Sequence, residues 1–184
     1  MTKRIFPAAL CLILLLAVVG CASHNAVKLT YAIGQSTAPC SGDVTVFKFE
    51  DKRDQSKLGS DSNGQAINTL SDVADWVGWA LFDELKAAGS NPKYRTSTVT
   101  PGTGTLITGE VLALNLNQTG TTTYAGKLTV KFMVQKDGKT VLAEKYTSEV
   151  ENLVVPGYGS QSDILAETLR TLIGEALPAI CAKI

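Results

Sequence analysis

The chain has 184 residues, 45% of them hydrophobic, with 17 basic and 17 acidic side chains and so no net formal charge. That balance lacks the basic footprint of a nucleic-acid binder, and a single histidine leaves general acid–base and metal chemistry short of its commonest residue. The length suits one domain with a substantial core, without an internal repeat.

In chain order, Lys3 and Arg4 precede an apolar run that closes on Val18-Val19-Gly20-Cys21. A short basic start, a stretch of about fifteen mostly apolar residues and a small residue at the cut describe a secretory signal peptide. The run is short for a membrane span of roughly 20 residues, and Pro7 interrupts it. With cysteine directly after the small residue, the pattern resembles a bacterial lipobox. The resemblance implies cleavage after Gly20 and acylation of Cys21. Residues 1–20 would be the lipoprotein signal peptide, 21–42 an acylated tether and 43–184 a single domain. Losing Lys3 and Arg4 takes the 17 basic residues to 15 against 17 acidic ones, a slightly acidic mature chain.

One acyl chain binds a membrane marginally, whereas two signals give stable anchoring. A palmitate-type diacylglycerol on Cys21 would therefore hold the protein permanently. Ala22 and Ser23 follow the cysteine where Asp would favour the inner membrane. The resemblance accordingly implies the periplasmic face of the outer membrane. His24 reads as a solvated tether residue. Cys11 leaves with the signal peptide and Cys21 is acylated. Cys40 and Cys181 then remain as an even pair in an oxidising compartment, expected to form a disulfide. The alternative is two separately buried thiols.

Within the tether, Leu29, Tyr31 and Ile33 alternate as a short strand docking on the domain edge would. Asp43–Glu50 reads as a strand with Val44 and Val46 on one face and Phe47 and Phe49 on the other, the pattern of an inner strand covered on both sides. Asp51-Lys52-Arg53-Asp54 then leads into a Gly/Ser-rich loop through about Asn68. Those charges either bridge one another to hold the loop or contact a partner.

Ser71 is positioned as a helix N-cap and Gly89 as its stop. Between them Val73, Trp76, Val77, Ala80, Leu81, Leu85 and Ala88 recur at helical spacing. Trp79 and Phe82 widen this apolar face, and Gly78 permits close approach of a neighbour. Three strands follow, Leu106–Asn117, Tyr124–Lys136 and Thr140–Glu151, the last two joined by an Asp137-Gly138 hairpin turn. Phe132 and Val134 are expected to face Trp76, Leu81 and Leu85. Leu153–Tyr158, outside any regular element, either packs under the sheet edge or exposes an apolar contact patch.

The final helix starts near Ser162 with a stripe of Leu165, Leu169, Leu172, Ile173, Ala176 and Ile180, and Pro178 should kink or end it. This order predicts an α+β two-layer sandwich, β-α-β-β-β-α, with a mostly antiparallel four-stranded sheet and two helices on one face.

Chemistry-bearing patterns are sparse. No serine or cysteine has a histidine partner in the domain, so the usual hydrolase triad is excluded, and no spacing suggests a metal or cofactor site. Gly102-Thr103-Gly104 runs into a strand rather than opening a helix and lacks the phosphate-loop lysine. Asn117-Gln118-Thr119 is a glycosylation acceptor only by pattern. An enzyme would have to work with carboxylates of perturbed pKa in a cleft, and no enzymatic activity is expected.

The lipobox, the Val44–Arg53 stretch, the Val73–Gly89 helix and the order of the remaining elements together resemble the YajG-type small lipoproteins of the bacterial envelope. The architecture is also similar to auxiliary lipoproteins of lipid-transport ABC systems and to the N-terminal module of TolB-like proteins. These resemblances imply a non-enzymatic, lipid-anchored periplasmic lipoprotein that binds an envelope protein partner. The alternative is an auxiliary lipoprotein that handles a transported lipid or its carrier, for which an apolar groove between helices and sheet would be needed. Only the acylated Cys21 carries over as a functional residue. Asp51, Arg53, Val154, Val155 and Tyr158 are this sequence's own candidates for partner contact.

Overall fold

The computed structural model describes residues 26–34, 39–97 and 104–184, so the expected signal peptide, Cys21, His24, Gly102 and Thr103 lie outside the described residues. Strict alternation builds the centre of the sheet. In strand β8 (Thr123–Lys136), Leu128, Val130, Phe132 and Val134 are buried while Lys127, Thr129, Lys131 and Gln135 take the opposite face. β8 pairs antiparallel with β7 (Thr105–Gln118) on one side and β9 (Lys139–Leu153) on the other. At the β8–β9 turn, Asp137 and Gly138 both take positive φ, 49° and 75°, which a two-residue type I′ hairpin requires.

The sheet is not the expected four-stranded, mostly antiparallel one. Among the described residues it has six strands, in the order β6 (Asn91–Arg95), β2 (Asp43–Phe47), β7, β8 and β9, with β3 (Glu50–Asp51) also on β7. β2 runs parallel to both β7 and β6. The first helix is thus the crossover of a β-α-β unit, the connection that parallel neighbours need. Asn91-Pro92-Lys93-Tyr94-Arg95 hides its strand character because it lies at the edge, where proline is tolerated. The loop after β3 also carries structure. Leu58 and Ile67 are fully buried, and they pin a small sheet of β1 (Ala26–Val27), β5 (Ala66–Thr69) and β4 (Gly59–Ser60). A side chain on Gly59 would strike the Leu116 carbonyl, so this close approach to β7 requires glycine.

Helix α1 (Val73–Ala87) is capped by Asp72, whose carboxylate accepts from the Asp75 amide at 3.0 Å. Ser71, the expected cap, instead accepts from the Leu29 amide at 3.1 Å. At the other end Gly89 has φ 102°, and the Ser90 amide donates to the Leu85 carbonyl, closing the helix in a left-handed cap. α1 lies over β2, β6 and β7, with the Tyr94 ring fitted against Gly78. Trp76, Leu81 and Leu85 are core residues as expected. The ring neighbours of Phe132, however, are Phe49 and Tyr146, at 5.8 and 5.9 Å. The layer over β8 and β9 is helix α2 (Gln161–Cys181).

α2 starts one residue earlier than the sequence suggests, capped by Ser160. Pro178 does not end the helix, which continues past it to Cys181. Gly174 and Pro178 both sit on the exposed side, where water can serve the Gly174 carbonyl that proline leaves unbonded.

Both helices cover one face of the sheet. The register pairs Val46 with Ile107 and Ile107 with Val134, and this row is buried beneath the helices. The opposite row, Thr45, Phe47, Leu106, Thr108, Lys131 and Met133, stays partly exposed throughout. β2 is therefore interior in the sheet but, among the described residues, covered by helices on one face only, against the two-sided cover expected. Phe49 lies beyond β2 and turns back over Gly109 into the core.

The stretch with alternating Leu29, Tyr31 and Ile33 is a strap along the helices rather than a sheet strand. Its polar groups are met in sequence by both helices. Ser162 donates to the Lys28 carbonyl at 2.7 Å and Trp76 Nε1 to the Thr30 carbonyl at 3.0 Å. Tyr31 donates to Glu84 Oε1 at 2.6 Å, and the Gly34 amide bonds the same oxygen. Further on, the Cys40 amide donates to the Ala88 carbonyl at 2.9 Å, and Cys40 is disulfide-bonded to Cys181 with Cα atoms 5.1 Å apart. The strap thus starts at the N-terminal ends of both helices, and the chain is stapled at their C-terminal ends.

The cap also sets an acid response. Asp72 is held below the usual carboxylate range, first by the Asp75 amide and then by Lys48, whose Nζ lies 3.0 Å away. A depressed folded pKa contributes stability above the unfolded value of about 3.9, lost as pH falls through the folded one. Asp72→Asn keeps a capping oxygen without that titration. Urea midpoints measured from pH 7 to acid should therefore fall less steeply below about pH 4 in Asp72→Asn than in the unaltered protein. Parallel curves would show that Asp72 carries no share of the acid sensitivity.

Candidate functional site

At the end where the strap begins, β9 runs out at Leu153 and the Val154 amide donates to the Thr122 carbonyl at 2.7 Å. Val155 and Tyr158 then form an antiparallel bridge around Pro156-Gly157, with Gly157 at φ 79°. Proline followed by a residue of positive φ is the sequence of a type II turn. The loop faces Ala26–Lys28 and the start of α2, leaving a groove of about 500 Å³ lined chiefly by Val27, Lys28, Val154, Val155 and Pro156. Around it Leu153, Tyr158 and Leu70 are 51%, 75% and 90% exposed. Leu70 belongs to this end because it follows Thr69, the register partner of Val27.

Of the sequence-derived candidates, Val154, Val155 and Tyr158 therefore share one surface. Asp51 and Arg53 form a different site. Arg53 donates through Nε and Nη2 to the two Asp51 oxygens at 2.9 and 2.8 Å, and its side chain is only 8% exposed. This guanidinium holds the Asp51 carboxyl below the usual carboxylate range. Lys52 pairs with Glu50 at 2.7 Å. The charged exit thus folds back on itself, and Arg53 turns inward. It borders a cavity of about 160 Å³ beside the β7 bulge at Leu112, which shares no lining residue with the tether-end groove.

The remaining polar clusters join layers. Burial, then the hydrogen bond to Glu84, raises the Tyr31 pKa well above the ordinary phenol value. Tyr94 is raised in the same way by burial and Asp75, to which it donates at 3.1 Å. Tyr146 is pushed up to about 12 by burial and Glu144. Such tyrosines stay protonated and donate, tying the strap to α1 and α1 to the sheet edge. Among the described residues, no three His, Cys, Asp or Glu side chains are grouped to hold a metal ion, and no helix is long and apolar enough to cross a membrane.

Sequence reading missed Val27 and Leu70 as parts of the surface, while Leu153 fell within the stretch read as packed or as a contact patch. The available signal was that Leu70 is a lone large apolar residue between Asn68-Thr69 and a capping Ser71-Asp72 pair.

No protein-family model and no curated protein matches the chain. Solved structures do share its fold. XCC0632 from Xanthomonas campestris, a DUF330 protein, superposes with a TM-score of 0.60 at 9% identity, covering 86% of this chain and 93% of that one. The crystal structure of an uncharacterized protein gives 0.55 at 9% identity, covering 85% and 99%. Lipoprotein GNA1162 from Neisseria meningitidis is looser, at 0.42 with 11% identity, covering 74% and 98%, and decides nothing about this chain. The first two likenesses establish a shared α+β fold.

Proposed function

We propose that this protein is a non-enzymatic lipoprotein of the bacterial envelope, anchored at the periplasmic face of the outer membrane through acylated Cys21, that binds an envelope protein through the uncovered face of its sheet. The observation that carries the binding role is that face itself. Phe47, Leu106 and Met133 stand half-buried among Thr45, Thr108 and Lys131, while both helices occupy the other side. Half-buried apolar side chains within a polar frame are what a reversible interface uses. The lipobox and the resemblance to YajG-type lipoproteins support the anchor. Lipid handling is less well supported, because Val46, Leu81, Ile107, Phe132, Leu165 and Leu169 are fully or almost fully buried where helices meet sheet.

The test combines anchor and face. Cys21→Ala should leave an uncleaved precursor without incorporated acyl chain; normal processing and membrane fractionation would refute the anchor. A photo-crosslinking residue at Thr108 should capture an envelope protein in cells, and Leu106→Glu with Met133→Lys should abolish the adduct. Capture from exposed Glu175 on α2, with none from Thr108, would place the partner on the wrong side for this reading.

A further inference from the structure

We propose that the tether end of the domain is a membrane seat, in which Leu70, Leu153 and Tyr158 enter the lipid interface and hold the sheet upright on the bilayer; the inference rests on acylation of Cys21. Chain length forces the proximity. Only five residues of advance separate Cys21 from Ala26, and a fully extended chain spans at most about 3.6 Å per residue, about 18 Å in all. The surface that meets the lipid is therefore chosen by where Ala26 lies. It lies beside an end of the domain where large apolar side chains stand in solvent, with Leu70, Tyr158 and Leu153 at 90%, 75% and 51% exposure.

The chemistry of that end fits an interface rather than a core. Tyr158 joins an apolar ring to a hydroxyl, the kind of side chain favoured at headgroup depth. The loop that bears it is held in shape by the Val155–Tyr158 bridge and the Val154–Thr122 hydrogen bond, so it need not reorganise to insert. Lys28 at the groove edge offers a cation to anionic headgroups. Interfacial elements bury their apolar side roughly 5–10 Å into the headgroup and acyl boundary, a depth that projecting leucine and tyrosine side chains can reach without wetting the sheet core.

Seating fixes the orientation of everything else. The Cys40–Cys181 bond and the Asp137-Gly138 turn lie at the opposite end, beyond the 14 residues of β8. At about 3.4 Å per strand residue the turn lies roughly 45 Å farther from the bilayer, and at about 1.5 Å per helical residue α2 carries Cys181 roughly 30 Å away. The uncovered sheet face then points sideways, parallel to the membrane plane, instead of being swept freely on a tether.

Site-directed fluorescence on the full acylated protein tests this. With Cys21 blocked by lipid and Cys40 bonded to Cys181, one added cysteine is a unique labelling position. Single variants Leu70→Cys, Leu153→Cys and Tyr158→Cys, with Asn152→Cys as a polar neighbour and Thr147→Cys and Lys139→Cys as distant positions, are labelled with an environment-sensitive fluorophore. They are reconstituted into phosphatidylethanolamine–phosphatidylglycerol vesicles carrying headgroup-level nitroxide lipid. Labels at 70, 152, 153 and 158 are expected to shift to the blue and lose most of their emission, while those at 139 and 147 keep theirs. If the protein is acylated by mass and floats with the vesicles but the tether-end labels are unquenched, the seat is refuted and the anchor stands; shielding that appears only with an added envelope protein likewise refutes it and makes this end a protein interface. A chain whose mass shows no acyl group overturns both.

Discussion

Removing the Cys40–Cys181 bond through the paired substitution Cys40→Ala and Cys181→Ala is expected to destabilise the fold by up to about 5 kcal/mol. The residues are 141 apart in sequence, so the bond closes most of the 184-residue chain into one loop and removes many conformations from the unfolded ensemble. Domains of this size have only about 5–15 kcal/mol in total, so the loss would take a large share of it. The native contacts around the bond are compatible with it. Cys40 is buried, its amide bonds the end of α1, and Cys181 is in the last turn of α2. On the proposed anchor the same bond would carry load. A pull at the lipid would travel along the strap that starts at Ala26, and past the strap the chain is covalently stapled to α2 rather than free to peel away. Urea unfolding of the oxidised protein and the paired variant, at constant pH, measures the effect. A difference below about 1 kcal/mol, the range of an ordinary point substitution, would mean that the unfolded chain is already compact enough to make the link redundant.

How much of this was legible in the sequence depended on whether local pattern and tertiary role agreed. β8 and β9 could be read because one wet and one covered face write themselves as alternation, and because Asp137-Gly138 supplies the turn that pairing needs. α1 could be read because its stripe and its Gly89 stop coincide. β6 could not, since an edge strand buries one side only and Tyr94 is its sole large apolar residue. Missing β6 turned a mixed sheet with a parallel crossover into an expected antiparallel one. The strap was misread for the opposite reason. Leu29, Tyr31 and Ile33 do alternate, but the backbone of residues 28–34 is bonded by Ser71, Ser162, Trp76 and Glu84, residues 42 to 134 positions away, and no local pattern reports such partners. Of the candidate contact residues, Val154, Val155 and Tyr158 were legible as apolar residues beside Pro156 and Gly157. The inward turn of Arg53 was not, because it depends on burial beside the β7 bulge.

Leu81→Ala is expected to cost about 2–5 kcal/mol, the range for truncating a fully enclosed leucine. Leu81 has no solvent exposure and sits one turn before Leu85 on the face of α1 that covers the β2–β7 part of the sheet. Its surroundings have little freedom to close over a cavity. Val46 and Ile107 are fixed in register across β2 and β7, and α1 is held against the sheet edge by the Tyr94–Asp75 hydrogen bond at 3.1 Å. It is tied to the strap by Tyr31 and Glu84 at 2.6 Å. A helix bound on both sides cannot slide inward, so most of the vacated volume should persist, and the cost should fall in the upper half of that range. Trp79→Ala on the same helix provides the contrast, since that ring is 47% exposed and stacks on Tyr94 at the sheet edge. Its loss should cost less than Leu81→Ala despite the larger side chain. Reversible urea melts of both variants decide the order, and a cheaper Leu81→Ala would mean that α1 does settle onto the sheet and that the strap does not hold it.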